Sequence, residues 1–367
     1  MASAHRSLLI TLLIATLVAV SFNAAKKLAT RLNSHNSPTL QFNYVRNSAD
    51  NTSRFSFKVL QLTDLHFGEA PDTDWGPRQD TKSEKAIRSV ISSEKPDLIV
   101  LGGDQITANN IDRNASAYHE WIIEILTTEQ PGIRWCTIFG NHDDQAFETW
   151  FDNGTVVYTE AKTTRQDLLM LDMSFEGSQT RASASGVFGT SNYAVPLHLG
   201  TEIVADIYFF DSGGGSIPQN MTEGQLRWFR NVSSASKHRP AIAFQHIPVN
   251  FDFRYRQEIC DGFNGEGVTP LQYDPGILSA LSEHGNVHFL AVGHDHGNDY
   301  CCMIDYSNTL HICFGRHSGY GGYGRWDRGA RVYELMLEKE EDKSLKFSWQ
   351  SWVRMENGEI ANDYRVT

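Results

Sequence analysis

The sequence predicts a mixed α/β sandwich, on three observations. Short apolar strands alternate with amphipathic helices in the first half, strand pairs crowd the second half, and no repeat or composition bias marks a fibrous or low-complexity chain. The 367 residues, 40% hydrophobic and 21% charged, are enough to bury a large core. Eleven prolines and 29 glycines fall without period, which excludes a collagenous chain.

Phe55 to Asp64 (FSFKVLQLTD) alternates apolar and polar residues and then runs into an aspartate, the pattern of a strand delivering a side chain at its end. In SEKAIRSVISSEK, Ala86, Ile87, Val90 and Ile91 share one helical face, and Pro96 stops the helix. Asp97 to Asp104 (DLIVLGGD) is a continuous apolar run, as in a strand buried on both faces. A helix over Tyr118 to Leu126 leads to a third strand, RWCTIFGNHD. Gly186 to Asp211 reads as two or three consecutive strands and Thr222 to Ser234 as a capped helix. PAIAFQH, VHFLAVGHDH and LHICFG follow as strands, with a helix near Pro275 to Glu283 between the first two. RVYELMLEK and LKFSWQSWVR form a closing hairpin, turned by the solvated acidic run Glu338 to Asp342. Residues 26–54, rich in Asn, Ser, Thr and Arg, read as a linker, 55–355 as one domain and 356–367 as a tail.

Residues 7–25 carry no charge, with Arg6 before them and Lys26, Lys27 and Arg31 after. Leu8 to Phe22 is almost wholly apolar, as in a signal peptide cut near Ala24 and Ala25 or a short signal anchor. Either sends the chain into the secretory pathway, secreted or attached to an endomembrane through residues 7–25. Sequons at Asn51, Asn114, Asn153, Asn220 and Asn231 agree mildly with a glycoprotein. Five cysteines leave at least one unpaired; Cys301 or Cys302 can bridge to Cys313 across neighbouring strands, and buried free thiols are the equal alternative, for Cys136 and Cys260 as well. The formal charge of -12, without a basic stripe, argues against nucleic-acid binding. An anionic substrate would need a local positive centre.

Five strand ends supply one. They carry Asp64 and His66 (T-D-L-H), Asp104 (G-G-D), Asn141, His142 and Asp143 (G-N-H-D), His246 (F-Q-H), and His294 with His296 (G-H-D-H). Each fragment alone is weak, and a single histidine is more often a core or surface residue. The ordered set is specific, because burying so many carboxylates and imidazoles without a cation costs several kcal/mol per unpaired group. Mixed His, Asp and Asn ligands favour Mn, Fe or Zn over a thiolate-bound centre. A bridging carboxylate brings two ions to about 3.5–4 Å, where they polarise a phosphoryl oxygen and make hydroxide from bound water. The expected function is therefore phosphoester hydrolysis by metal-bound hydroxide.

The order D-x-H, G-D, G-N-H-D, H, G-H-x-H resembles the calcineurin-like metallophosphoesterase superfamily across most of Phe55 to Val353. DLHFGEAPDTDWGPRQD, EKPDLIVLGGD, GHDHGNDYC and GGYGRWDRGARV are similar to its purple-acid-phosphatase-like branch in plants and fungi. The resemblance implies a four-layer αββα sandwich, two mixed sheets flanked by helices, with a dinuclear centre between the sheets. Asp64, His66, Asp104 and His296 would hold one divalent or mixed-valence ion, with Asp104 bridging. Asn141, His246 and His294 would complete the second site. His142 would face the phosphate and protonate the leaving alkoxide, or stabilise phosphoryl charge. True purple enzymes resemble G-D-x-x-Y, with the tyrosine on ferric iron; here the run is G-D-Q-I-T (Gly103 to Thr107), which implies a colourless centre. The implied activity is that of a phosphomonoesterase on a small phosphorylated molecule or phosphoprotein, with a phosphodiesterase or a metal-binding pseudoenzyme as alternatives. Asp143 and Asp295 read as partners orienting the ligand histidines or as strand-end caps. Arg316, His317 and Tyr320 line either a substrate mouth or, the favoured reading, a solvated glycine-rich loop. Trp75 and Gln79 belong to a rim or, more simply, to a hydrophobic loop anchor.

Overall fold

The computed structural model describes residues 39–46, 53–249, 259–305, 310–342 and 344–366. The apolar segment 7–25 and Asn51 lie outside the described residues. The chain begins with β1 (Leu40–Gln41) and β2 (Asn43–Arg46), followed by the long β3 (Ser53–Leu62), whose inner half is buried on both faces. Helix α1 (Gly76–Glu94) has Pro77 in its first turn, ends on a left-handed Lys95, and buries the predicted Ala86, Ile87, Val90 and Ile91. Then come β4 (Leu98–Gly102), buried at every position, α2 (Ser116–Glu129) and β5 (Arg134–Ile138). A small hairpin, β6 (Phe147–Trp150) and β7 (Val156–Thr159), precedes α3 (Arg165–Ser174). The predicted strands between Gly186 and Asp211 are two, β8 (Tyr193–Leu199) and β9 (Glu202–Phe209). Helix α4 (Glu223–Ser233) is capped by Thr222 in a reciprocal box with Gln225.

After β10 (Ala241–Phe244) and the short β11 (Cys260–Asp261) come α5 (Ile277–His284), β12 (Val287–Val292), β13 (Cys301–Asp305) and β14 (Leu310–Phe314). The antiparallel run β15 (Gly329–Lys339), β16 (Leu345–Met355) and β17 (Ile360–Val366) ends the fold. Two segments need correction. The stretch read as a linker contains β1 and β2, because LQFNYV alternates apolar and polar residues and sends Leu40 and Phe42 into the core. The stretch read as a tail contains β17, which pairs with β16.

The architecture is an αββα sandwich of two mixed sheets. One sheet has the order β1-β8-β9-β10-β12-β14-β13-β11; the other runs β17-β16-β15-β3-β4-β5, with β2 beside β3. Phe57, Val59, Leu98, Val100 and Tyr333 from one sheet meet Val195, Ile207, Phe244 and Phe289 from the other in a single core. Leu226 and Phe229 of α4 and Ile277 and Leu281 of α5 cover the outer face of the first sheet. Helix α1 covers β3, β15 and β16 of the second and packs on α2. Neighbouring strands carry two disulfides, Cys260–Cys302 and Cys301–Cys313, leaving Cys136 as a buried free thiol. Strands β3, β4 and β5 are parallel, as are β9, β10, β12 and β14, so loops at their carboxyl ends gather in one place. Among the described residues no helix is long and apolar enough to cross a membrane.

Candidate metal centre

The loops after β3, β4 and β12 turn by placing non-glycine residues in the left-handed region. Asp64 (φ 57°), His66 (φ 51°), Asp104 (φ 52°) and His294 (φ 74°) all adopt it. Such a conformation costs on the order of 1–3 kcal/mol for each residue and persists only when its surroundings fix it. Here the Asp64 N–H donates to Gly103 O (3.0 Å), and the Leu65 and His66 N–H groups share Asp104 O (2.8 and 3.0 Å). The Asp104 N–H donates to Asp143 Oδ2 (3.0 Å). Gly103 (φ 102°) is required as glycine, since a Cβ there would lie 2.2 Å from His246 Nδ1.

Two clusters result. One donor atom each from Asp64, His66 and His296 lie within 4.8 Å of one another, as do those of Asp104, His246 and His294. Asp104 links the clusters: its Oδ2 is 3.2 Å from His246 Nε2 and 3.8 Å from His66 Nε2, while its Oδ1 accepts the His142 N–H (2.7 Å). His246 Nδ1 sits 2.9 Å from Gly102 O, and His296 Nδ1 2.9 Å from Tyr323 O. A carbonyl only accepts, so each Nδ1 carries its hydrogen and each Nε2 faces inward, free to donate its lone pair to a cation once it has no proton. The His66 and His296 Nε2 atoms stand 3.2 Å apart. Lone pairs and carboxylate oxygens facing one another at these distances repel unless a proton or cation lies between them.

Burial acts on the same groups. It pushes the Asp64 carboxyl up to about 7, although the nearby His246 opposes it. It lowers His294 to about 3 and His296 to about 4, and holds His66 well below the usual imidazole range. Burial would lower His246 too, but the carboxylates of Asp104 and Asp64 raise it to about 9. Asn141 Oδ1 is buried without a hydrogen-bond partner. Asn141 lies between Gly140, where a Cβ would strike Asp104, and His142, and it also lines a second cavity of about 290 Å³. A borderline or hard divalent cation fits this set of nitrogen and oxygen donors.

An open cavity of about 300 Å³ lies over the clusters, lined also by Glu69, Asn109, His142, Gly322 and Tyr323. His142 Nδ1 is 3.2 Å from Asn109 Oδ1, and its ring meets His66 edge-on at 4.9 Å. Asp143 is a cap, accepting the N–H groups of Asp104, Ile106 and Gly140; Asp295 likewise accepts that of Thr269. Arg316 and His317 are neither mouth nor solvated loop: Arg316 is buried on Asp299 (2.9 Å) and His317 lies behind His296, ring centres 3.9 Å apart. Tyr320 binds Glu356, and the mouth falls instead to Gly322 and Tyr323. Neither Trp75, 42% exposed, nor the buried Gln79 lines the cavity over the clusters, and Trp75 anchors little.

Sequence reasoning missed Thr107 and Arg165 with its two carboxylate partners, as well as the cavity-lining Glu69, Asn109, Gly322 and Tyr323. Thr107 Oγ1 lies 3.1 Å from His66 Nδ1, at the place of the tyrosine in purple enzymes. Arg165 is buried between Asp144 (2.9 Å) and Asp211 (2.6 Å) and donates to Gly140 O (2.6 Å) and Gly214 O (2.9 Å), clamping the loop that carries Asn141 and His142. The only signal for these was that Asp144 extends G-N-H-D by one residue.

The family model described as calcineurin-like phosphoesterase matches residues 57–298. The chain belongs to the calcineurin-like phosphoesterase family. Among its relatives, probable inactive purple acid phosphatase 28 of Arabidopsis thaliana is 30% identical over 335 residues, covering 82% of this chain and 81% of its own. Phosphatase DCR2 of Saccharomyces cerevisiae is 28% identical over 325 residues, 80% of this chain and 54% of that longer one. The purple acid phosphatase PPD1 from yellow lupin seeds is a similar solved structure, 15% identical with a TM-score of 0.48, over 84% of this chain and 53% of that one.

Proposed function

We propose that the protein binds two metal ions and hydrolyses phosphomonoesters in the secretory pathway. The observation that carries the reading is the pair of buried donor clusters joined by Asp104. In this reading Asp64, His66, Asp104 and His296 hold one ion, and Asn141, His246 and His294 hold the second with Asp104. A metal pair bound there would polarise the phosphoryl oxygens and lower the pKa of a water it holds.

The chain's own residues then orient and protonate. The His142 backbone N–H fixes Asp104 Oδ1, leaving Oδ2 toward the histidines. Asn109 Oδ1 takes the Nδ1 hydrogen of His142, so a protonated His142 presents its Nε2 hydrogen to the leaving-group oxygen. Disulfides in the strand layer support an oxidising compartment. Secretion after cleavage of residues 7–25, or retention at an endomembrane through them if they stay attached, is part of the same proposal.

Purified full-length chain, reconstituted with Mn, Fe or Zn, should turn over p-nitrophenyl phosphate faster than its bis ester. His142→Ala should lower kcat by about 10²–10⁴-fold with bound metal unchanged. The reverse substrate preference would make the protein a phosphodiesterase. The Arabidopsis relative's name carries the word inactive, which favours a second reading, a metal-binding pseudoenzyme acting as a binding module. Full metal loading with no turnover of either ester would establish that reading and end the first.

A further inference from the structure

We propose that Asn153 carries an N-linked glycan whose first sugar rests on the ring of Phe151. The inference rests on the secretory reading above. The β6–β7 hairpin turns through Phe151-Asp152-Asn153-Gly154-Thr155. The Gly154 N–H donates to Phe151 O (2.9 Å) and the Phe151 N–H to Thr155 O (2.9 Å). Positive φ occurs at Gly154 (80°) and at neither Asp152 nor Asn153, which defines a type I turn closed by a glycine bulge. Asn153 Oδ1 accepts the Thr155 N–H (2.9 Å), fixing the amide so that Nδ2 is left for chemistry. All five residues are exposed, Phe151 by 51%, and a Cβ on Gly154 would meet nothing within 4 Å.

The aromatic ring two residues before the asparagine sets this sequon apart. Asn231 also follows an aromatic by two, but Phe229 is 1% exposed and the acceptor Ser233 is buried in α4. Asp112 and Pro218 stand at that place for Asn114 and Asn220. Asn114 Oδ1 is held by Thr163 Oγ1 (3.0 Å), and the Thr222 hydroxyl of the Asn220 sequon caps α4. Trp150 (67% exposed) and Tyr158 (63% exposed) of the same hairpin are exposed aromatic residues as well. The apolar face of a pyranose packs on such a ring as other apolar groups do. In the transfer step, Nδ2 attacks C1 of an oligosaccharide carried on a lipid diphosphate. The N–C1 bond forms, the C1–O bond breaks, the lipid diphosphate leaves, and the amide gives up one proton.

The test uses the full chain in a eukaryotic secretory host, with its own N-terminus and in parallel behind an added cleavable secretion signal. Enzymatic glycan release in ¹⁸O water converts each occupied asparagine to a mass-tagged aspartate, which peptide mapping locates. Most Asn153 should be tagged, and Asn153→Gln and Thr155→Ala should each lose one glycan. Releasing the glycan should lower Tm by about 1–3 °C in the parent and not in Phe151→Ala. A secreted chain glycosylated elsewhere but bare at Asn153 would overturn the site, and an equal Tm loss in Phe151→Ala would overturn the stacking. If only the form with the added signal is glycosylated, the secretory reading falls while occupancy of Asn153 in that form still decides the site.

Discussion

Thr107 shows how one residue adapts the centre. Thr107 stands where the resembled G-D-x-x-Y motif has its tyrosine, and its hydroxyl lies 3.1 Å from His66 Nδ1, where it orients that ring. An orienting partner of this kind affects metal affinity by about 10–100-fold. Thr107→Val, which keeps the shape and loses the hydroxyl, should weaken metal binding by that factor in a chelator competition titration. Unchanged affinity would show that packing alone holds His66. The residues that converge in the two clusters were legible because aspartate, histidine and glycine gather where apolar runs end. Arg165 was not, since its carboxylate partners stand 21 and 46 residues away with no pattern to connect them.

At the scale of elements, two contacts hold the site's frame. Arg165, at the start of α3, ties the loop after β5 to the loop after β9. Arg165→Met would leave Asp144 and Asp211 buried without a counter-charge, a loss of about 3–5 kcal/mol in urea unfolding. A loss below about 1 kcal/mol would mean that water compensates the carboxylates.

Glu94 joins the end of α1 to β16 and β3. Burial would raise its carboxyl, but Trp352 (3.0 Å), Arg354 (2.5 Å) and Lys58 (3.2 Å) hold it below its ordinary 4.5. A depressed folded pKa gives stability that is fully present above about pH 4.5 and lost as pH falls through the folded value. Glu94→Gln should therefore be less stable by about 1–2 kcal/mol near neutral pH, a gap that narrows below pH 4.5 in a pH series of urea titrations. A gap that widens toward acid would reverse the assignment. Helix α1 and strands β3, β4, β10, β12 and β14 were readable from their apolar periods. The β6–β7 hairpin and α3 were not, because a short exposed hairpin and a ten-residue helix leave little periodic signal.

For the whole molecule, the consequential feature is that the candidate ligands come from both sheets: Asp64, His66 and Asp104 follow β3 and β4, and His246, His294 and His296 follow β10 and β12. A cation held there would cross-link the sandwich. The αββα layering followed from motif order, but sheet order did not, since β9, β10, β12 and β14 are neighbours only after helices intervene. Strands β1, β2 and β17 were hidden by polar composition at the chain's ends. Metal at a hundredfold excess over Kd should stabilise the fold by about 2.7 kcal/mol, seen as a Tm rise that chelation reverses and Asp104→Asn lacks.

The most direct measurement is elemental analysis of the full chain after dialysis against trace Mn, Fe and Zn, beside Asp104→Asn and His246→Asn. Two ions per chain, with clear loss in both variants, is the predicted result. Metal absent from the parent chain, or present equally in all three, would contradict the account.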